Sequence, residues 1–375
     1  MNEAERVALS NCDSEPVHIP GRIQSFGALL GFDLESGTVL HHSDNLGPEY
    51  LNDATSILGQ PYEQIFNSNE IPHAIRGALG LPTIQTQRDR IGLFHLNDRP
   101  TDISVYTSAN QAIVELEHDD SSRQRPQSAV TGVRSMLSAL HSGDGLQTLL
   151  DSAVTVLRHL TGHDRIMAYR FMKNGDGEVA AESHGPGIEP FLGLRYPASD
   201  IPLQVRQIAL RSRFRIIHDT RATPSALISQ AGIPPLDLTY SQFRGVSPIH
   251  IEYLENMGVR STMNVSIIVR GQLWGLFAFH SYRARRLSPD QRSLCELFGH
   301  IVSMQIQQEE EQERQRHRQT TTTTIASIRG TTRDPMGTVQ ANETQLKKVV
   351  NADRSAFFQY AEVCPSCDVP QNEAL

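Results

Sequence analysis

The sequence predicts an α+β protein with two domains, each made of an antiparallel sheet and flanking helices. Short apolar runs separated by turn residues occur throughout residues 1–118, a pattern typical of strands. From Val130 the apolar spacing becomes helical, and a long hairpin pattern follows at 264–280. The 375 residues, 38% of them hydrophobic, are enough for two or three domains of ordinary size.

The first domain is predicted from short strands. Residues 28–32 and 38–40 are apolar and flank Glu35-Ser36-Gly37, which has turn chemistry, so they are expected to form a hairpin. Residues 92–95 and 112–116 predict further strands of the same antiparallel sheet.

The second domain is predicted to span roughly 130–285, after a polar linker at 119–127 that contains Ser-Ser and Pro. Apolar residues recur at helical spacing between positions 133 and 157, and residues 164–171 predict a strand. The long hairpin is predicted to turn at Arg270-Gly271.

A long helix is predicted to start at Ser288, because Pro289 suits its first position and Gln291 can close a capping box. Its apolar stripe consists of Leu294, Leu297, Ile301 and Met304. This stripe either packs against the sheet or forms a seam with a partner helix. Five threonines at 320–324 are predicted to interrupt the helix as a loop or a frayed end.

Composition excludes several classes of protein. No apolar run is long enough to cross a membrane, and the polar, acidic N-terminus resembles neither a signal nor a transit peptide, so we expect a cytoplasmic protein. A net charge of −8 argues against nucleic acid as the main partner. No Walker loop, kinase phospho-acceptor block or cyclase signature indicates an enzyme.

The four cysteines are too few for a disulfide scaffold. Cys12 lies in a polar segment and is expected to be exposed, whereas Cys295 follows a helical apolar pattern and is expected to be buried. Cys364 and Cys367 form a CxxC motif without the second pair of ligands that a structural zinc site needs, so we expect no metal.

Four sequence blocks carry a more specific signal than composition. They are residues 12–24 (CDSEPVHIPGRIQ), 196–202 (YPASDIP), 244–258 (RGVSPIHIEYLENMG) and 273–280 (LWGLFAFH). In this order and spacing they resemble the bacteriophytochrome family, over about residues 12–310. The resemblance implies a PAS domain followed by a GAF domain with a long C-terminal helix. It also implies a figure-of-eight knot, in which the N-terminal segment threads an insertion at about 223–247.

The resemblance also implies the domain boundaries. They are 1–22 for the N-terminal segment with the attachment cysteine, 23–120 for the PAS domain, 130–310 for the GAF domain, and 311–375 for the helix end, a linker and the truncated start of a PHY domain. The rest of the PHY domain and any output domain are expected to be missing. We therefore expect either a shortened photoreceptor or an unusual short one.

The chromophore implied by the resemblance is biliverdin IXα, joined through a thioether to Cys12. A thiol adds to a vinyl carbon only as thiolate, so Cys12 needs exposure and a positive group nearby. Relatives that carry phytochromobilin or phycocyanobilin have their attachment cysteine at the position of Ile249. The isoleucine there and the presence of Cys12 together favour biliverdin.

Polar pocket residues follow from the resemblance by position. Arg215 and Arg244 match the cations that bind the two propionates. Ser247, Thr262 and Asn264 match hydrogen-bonding neighbours of the propionates, although serines are commoner at the last two positions.

A second group of residues matches the family positions that contact the rings of the bilin. The backbone carbonyl of Asp200 matches the acceptor of the pyrrole N–H groups, His250 lies at the position near the pyrrole water, and His280 at the position that binds the D-ring carbonyl. The aromatic cage and the apolar contacts are matched by Tyr169, Tyr196, Tyr253, Met167, Ile201 and Pro202.

The sequence departs from the family pattern at three places. Ser25-Phe26-Gly27 replaces Pro-His-Gly, and we expect a strand there with little effect on the pocket. Ala209 replaces a tyrosine that commonly contacts a propionate, and Ser281 replaces the second histidine of a pair.

We therefore expect a red/far-red photoreceptor module in which light drives Z-to-E isomerisation at ring D. The GAF helix is expected to relay the change to an output absent from this chain, and to pair with its copy in a homodimer. A truncated fluorescent tag derived from such a module is an alternative, although the retained Asp200 argues against deliberate engineering. A GAF module that binds a cyclic nucleotide, or an enzyme, is a third alternative without a supporting motif.

Overall fold

The structure is a computed structural model of the chain. It describes residues 15–51, 57–66, 68–85, 87–119, 145–329, 335–350, 358–359 and 362–363. The predicted linker, the apolar residues between 133 and 140, and Cys12, Cys364 and Cys367 lie outside the described residues. The chain divides into two compact units, Met1–Ile306 and Gln307–Leu375.

The first sheet has seven antiparallel strands. Its chain-order elements are β1 (Arg22–Ile23), β2 (Ala28–Asp33), β3 (Val39–Ser43), α1 (Glu70–Leu79), β4 (Asp89–Leu96), β5 (Arg99–Ser108) and β6 (Gln111–His118). The strand order is β1-β11-β3-β2-β6-β5-β4, where β11 (Ser225–Ser229) comes from much later in the chain. The predicted hairpin and the strands around 92–95 and 112–116 are confirmed, whereas β5 was not predicted.

The second sheet has six antiparallel strands in the order β10-β12-β13-β7-β8-β9. Its chain-order elements are α2 (Leu146–Thr161), β7 (Arg165–Phe171), β8 (Gly177–His184), β9 (Arg195–Tyr196), α3 (Leu203–Arg211), β10 (Phe214–Ile217), α4 (Pro248–Asn256), β12 (Ser261–Val269) and β13 (Gln272–Ser281). The predicted hairpin is confirmed: Arg270 and Gly271 both have positive φ, 52° and 74°, as in a type I′ turn.

Helix α2 covers one face of the second sheet. Leu150, Val154 and Leu157 of α2 pack in the same core as Phe277 and Phe279 of β13. The other end of this core is closed by α5 (Pro289–Arg329). The opposite face of the sheet is therefore left for α4 and for the loops around it.

The N-terminal segment passes between the two arms of the insertion that contains β11. From one arm, Leu227 N–H donates to Gly21 O over 3.0 Å; from the other, Leu238 N–H donates to His18 O over 2.7 Å. Gln24 N–H donates back to Phe243 O over 2.7 Å. The segment is thus bonded on both sides, as the expected figure-of-eight knot requires.

The expectation of a strand at Ser25-Phe26-Gly27 is wrong. These residues form the turn that joins β1 to β2. Phe26 is buried, and its ring centroid lies 4.9 Å from that of Phe243 and 4.7 Å from that of His218. An aromatic ring at this position therefore fixes the knot to the core of the second domain.

Helix α5 begins with the predicted capping box. Ser288 N–H donates to Gln291 Oε1 over 3.1 Å, and Gln291 N–H donates to Ser288 Oγ over 3.3 Å. The expectation that the threonines at 320–324 interrupt the helix is wrong, since α5 continues to Arg329. Thr320 Oγ donates to Arg316 O, so the hydroxyl bonds within the helix instead of breaking it.

The apolar stripe of α5 is only partly used as core. Leu294 and Ile301 are half-buried against the core, whereas Leu297 and Met304 are 45% and 54% exposed. The inward face is formed instead by Cys295, Phe298, Val302 and Ile306. Cys295 is buried as predicted, and burial raises the pKa of its thiol to about 12.

The C-terminal unit contains α6 (Pro335–Ala341), α7 (Glu343–Val350) and a short hairpin of β14 (Phe358–Gln359) and β15 (Glu362–Val363). None of the helices that the structure describes is both long and apolar enough to cross a membrane.

Candidate functional site

A cleft opens on the outer face of the second sheet, between that sheet, α4 and the turn before α3. It holds about 680 Å³ of space not filled by protein atoms, including the part open to solvent. Ten predicted site residues line it: Met167, Tyr169, Tyr196, Asp200, Ile201, His250, Tyr253, Thr262, Asn264 and His280. A concave site with mainly apolar walls and a few polar groups is typical of a small-molecule site.

Strand alternation places the floor of the cleft. In β12, Thr262 and Asn264 point to the cleft, while Met263 between them lies in the helix-covered core. Thr262 pairs with His280 across the sheet, and Asn264 pairs with Ala278. The floor is therefore polar at one side and apolar where Ala278 pairs with Met167.

Helix α4 forms one wall. His250, Tyr253, Leu254 and Met257 recur at helical spacing, so they share the face that lines the cleft. The His250 and Tyr253 rings are nearly parallel, with centroids 6.2 Å apart. Pro248 at the first position starts the helix immediately after Ser247.

Asp200 faces the tyrosines of the cleft. Tyr253 Oη donates to Asp200 Oδ2 over 3.5 Å. Burial raises the pKa of Asp200, and this hydrogen bond opposes that shift. Burial, followed by the Asp200 charge, raises the pKa of Tyr169 to about 12, so this phenol is neutral and can act as a donor.

His280 is 7% exposed, and its Nδ1 has no hydrogen-bond partner among the described residues. Burial lowers its pKa to about 4, with smaller contributions from the Arg165 and His250 charges. A neutral imidazole among the lining residues can form a hydrogen bond with a polar ligand atom in the cleft.

Arg215 lies on the cleft face of β10, beside Asn264 of β12. Its guanidinium donates to Arg244 O over 2.7 Å and to Gly245 O over 2.9 Å. Burial and the nearby Arg244 charge lower its pKa. In the described part of the chain no carboxylate pairs with Arg215, so this half-buried cation is left without a counter-charge there.

His250 is exposed in the open cleft. Desolvation by the surrounding protein is the main cause that lowers its pKa, and the Arg215 charge lowers it further. Both histidines of the cleft are therefore expected to be neutral near pH 7.

Four described residues among those predicted are not part of the cleft lining: Arg215, Arg244, Ser247 and Pro202. Arg244 is buried in the insertion, where it donates to Thr239 O over 2.9 Å. Ser247 Oγ donates to Glu15 Oε2 over 2.6 Å, and Pro202 lies immediately before α3. Their roles in binding a ligand stay predictions, as does that of Cys12.

Six lining residues were not predicted: Val179, Phe191, Leu254, Met257, Leu276 and Ala278. Strand alternation from His280 could have found Leu276 and Ala278. Phe191 lies in a loop whose backbone donates to the Glu182 carboxylate, which in turn pairs with Arg165. No local pattern in the sequence signals that arrangement.

Comparison with known proteins gives two family matches, a PAS fold at residues 12–119 and a GAF domain at 145–306. A bacteriophytochrome of Pseudomonas aeruginosa is 32% identical over 82% of this chain and 42% of its own length. Cyanobacterial phytochrome B of Nostoc is also 32% identical, over 80% of this chain and 41% of its length. The chain thus spans less than half of these relatives.

A solved structure decides the family. The chromophore-binding domain of Stigmatella aurantiaca bacteriophytochrome is 35% identical, with a TM-score of 0.71 over 79% of this chain and 99% of that domain. This chain belongs to the bacteriophytochromes. The photosensory core module of the Stigmatella phytochrome also matches, with 31% identity and a TM-score of 0.80 over 94% of this bacteriophytochrome and 72% of that module. The bacteriophytochrome described above therefore carries the PAS and GAF domains of a phytochrome photoreceptor, and its cleft lies in the GAF domain.

Proposed function

We propose that this chain binds biliverdin IXα in the GAF cleft, through a thioether at Cys12, and senses red and far-red light. The observation that carries the proposal is the cleft itself. It combines an apolar, aromatic wall with the imidazole of His280, and the half-buried cation Arg215 lies on the same face of the sheet, beside Asn264. A conjugated ring system with carboxylate arms fits this combination.

The residues would divide the binding as follows. The rings would lie among Met167, Tyr169, Tyr196, Ile201, Pro202 and Tyr253, with His280 donating to the D-ring carbonyl and the backbone of Asp200 accepting the pyrrole N–H groups. Arg215 and Arg244 would take the propionates, supported by Ser247, Thr262 and Asn264. Arg215 uses two of its five N–H donors on backbone carbonyls and so can still form a bidentate pair with a carboxylate.

Cys12 supplies the covalent step. Its thiolate sulfur bonds to the terminal vinyl carbon, and the neighbouring carbon takes up a proton, so S–H adds across C=C without an oxidant or a reductant. Cys295 is unsuited to this step, because burial raises its pKa to about 12 and closes it to ligands.

When bound, the bilin would supply visible absorption and Z-to-E isomerisation at the bridge before ring D. Tyr169, Tyr196 and Tyr253 would confine that ring and exclude water, and the contact between Tyr253 and Asp200 would adjust to its new orientation. Helix α5 shares the hydrophobic core with β13, which carries His280, so a shift at His280 can reach the helix through packed residues.

We further propose a homodimer through α5. Leu294, Leu297, Ile301 and Met304 follow the 3-4 spacing of a coiled-coil seam, and two of them remain exposed. Residues 311–375 would form the end of this helix, a linker and the start of a PHY domain.

Absorption spectroscopy tests the proposal. Apoprotein mixed with biliverdin should give a red-absorbing, zinc-fluorescent adduct, and red light should produce a far-red-absorbing form. Cys12→Ser should remove covalent attachment while leaving the cleft able to bind. A colourless mixture would contradict the proposal, and an adduct without a far-red product would favour a fluorescent module.

A further inference from the structure

Among its described residues, the N-terminal segment contacts the start of α4, beside the cleft, through Glu15. Ser247 Oγ, at the N-cap of α4, donates to Glu15 Oε2 over 2.6 Å. The N-terminus of a helix favours a negative charge, since its first N–H groups have no partner within the helix. Glu15 therefore ties the segment to the helix that carries His250 and Tyr253 into the cleft.

Residues 244–247 form a short turn that ends at the start of α4. This turn also bonds to the N-terminal segment at Arg22 and Ile23. Gly245 N–H donates to Arg22 O over 3.0 Å, and Ile23 bridges to Arg244. A Cβ at Gly245 would lie 2.7 Å from Arg22 O, so the two backbones pack too closely for any other residue.

Arg215 binds this turn from the other side, through the carbonyls of Arg244 and Gly245. Thus one turn joins the N-terminal segment, the cleft cation and the start of α4. Each contact between the N-terminal segment and this turn therefore also fixes the position of the segment relative to the cleft.

Covalent geometry then limits where the attachment thiol can be. Glu15 is three residues after Cys12, and three extended residues span at most about 11 Å between Cα atoms. Ser247 precedes His250 by three helical positions, a rise of about 4.5 Å. With Glu15 bound to Ser247, the three-residue chain length limits how far a thiol at position 12 can be from the start of α4.

We propose that Glu15 is a positioning residue for thioether formation, holding the attachment segment on Ser247 so that the thiol dwells near its target. The proposal rests on the attachment at Cys12 proposed above. Without the anchor, residues before His18 would sample a wider volume, and the effective concentration of the thiol would fall.

The rate of covalent attachment at saturating biliverdin tests this, followed on denaturing gels by zinc fluorescence. Glu15→Ala should slow attachment about tenfold, an order of magnitude typical of lost positioning. Glu15→Gln should keep most of the wild-type rate, because its amide oxygen can still accept the Ser247 hydroxyl. Glu35→Ala, at an exposed turn of the PAS domain, is the control and should attach at the wild-type rate.

A double-mutant cycle separates positioning from ligand binding. If Glu15 acts through Ser247, the double variant Glu15→Ala/Ser247→Ala should be no slower than Ser247→Ala alone. Biliverdin affinity before attachment should be unchanged in Glu15→Ala. In the Glu15→Ala apoprotein, amide hydrogen exchange over residues 15–24 should be faster than in the wild-type apoprotein.

Attachment by Glu15→Ala at or above the wild-type rate would overturn the inference; a faster rate would mean that the carboxylate competes with a propionate. An equal fall in affinity and rate would also overturn it, because Glu15 would then belong to general binding. If the wild-type protein forms no adduct, the proposed function itself is wrong. If the wild-type protein forms the adduct and only the rate of Glu15→Ala is at issue, the proposed function stands and the positioning role alone is tested.

Discussion

Arg215 shows how a single residue can point to a ligand. Its guanidinium is half-buried, donates to two carbonyl oxygens and has a second arginine nearby, so desolvation and repulsion lower its pKa. Such a charge destabilises a protein unless an anion reaches it. The sequence predicted the residue through the family resemblance, but its lack of a carboxylate partner in the described structure becomes visible only with the fold.

Arg215→Met should weaken biliverdin binding by at least about tenfold, because a propionate would lose its buried charge-assisted hydrogen bonds. Titration of the Cys12→Ser background measures this without covalent attachment. Arg76→Met, which removes an exposed arginine from α1, is the matched control. Equal affinities for the two variants would exclude Arg215 from the propionate site.

His280 makes a prediction about pH. Its folded-state pKa of about 4 lies below the ordinary 6.5, so the unfolded chain binds more protons between these values and stability falls as pH falls through that range. His280→Gln should reduce the loss of unfolding free energy between pH 7 and 4.5 by about 2 kcal/mol. Urea unfolding of the apoprotein at both pH values measures it.

His73→Gln, at an exposed position of α1, should lose as much stability as wild type over the same pH range. If His280→Gln lost as much unfolding free energy over this pH range as the wild-type protein, the imidazole of His280 would not be held neutral by burial.

Elements whose causes are local were predictable. The two-residue turn at Arg270-Gly271 and the capping box at Ser288 depend on neighbouring residues, and both are confirmed. The threonines at 320–324 were misjudged because their low intrinsic preference was taken to end a helix that in fact continues through them. Strand β11 pairs with β3, about 190 residues earlier, and no local pattern predicts such a partner.

Gly245→Ala tests the close packing of the insertion on the N-terminal segment. Its Cβ would collide with the Arg22 backbone, so we expect the apoprotein to lose about 1–3 kcal/mol of unfolding free energy. The segment should also become more open to protease. Gly47→Ala, where nothing lies within 4 Å, is the control. Equal thermal midpoints in the two variants would contradict the described packing.

At the scale of the whole molecule, the order of domains followed from four motifs, and three of them, at 196–202, 244–258 and 273–280, hold residues that meet in one cleft. Composition and periodicity alone indicated two antiparallel domains and no ligand. The loop that brings Phe191 to the cleft depends on the buried pair of Arg165 and Glu182, and such a tertiary cause leaves no local trace.

The proposed dimer makes a prediction at this scale. Leu297→Glu should place a charge in the seam of α5 and convert the protein to a monomer at micromolar concentration, without changing biliverdin binding. Light scattering coupled to size-exclusion chromatography measures the mass. Leu81→Glu, the same change at a 52% exposed leucine of the first domain, should leave the mass unchanged. A dimeric Leu297→Glu would place the interface elsewhere.

In the proposed holoprotein a bilin occupies the GAF cleft and is joined to Cys12. Mass spectrometry of the tryptic peptide 7–22, after incubation with biliverdin and denaturation, tests it most directly, because this peptide contains Cys12 and no other cysteine. The peptide should gain the mass of one biliverdin, and the peptides with Cys295, Cys364 and Cys367 should not. An unmodified peptide 7–22, or bilin found on another cysteine, would contradict the account.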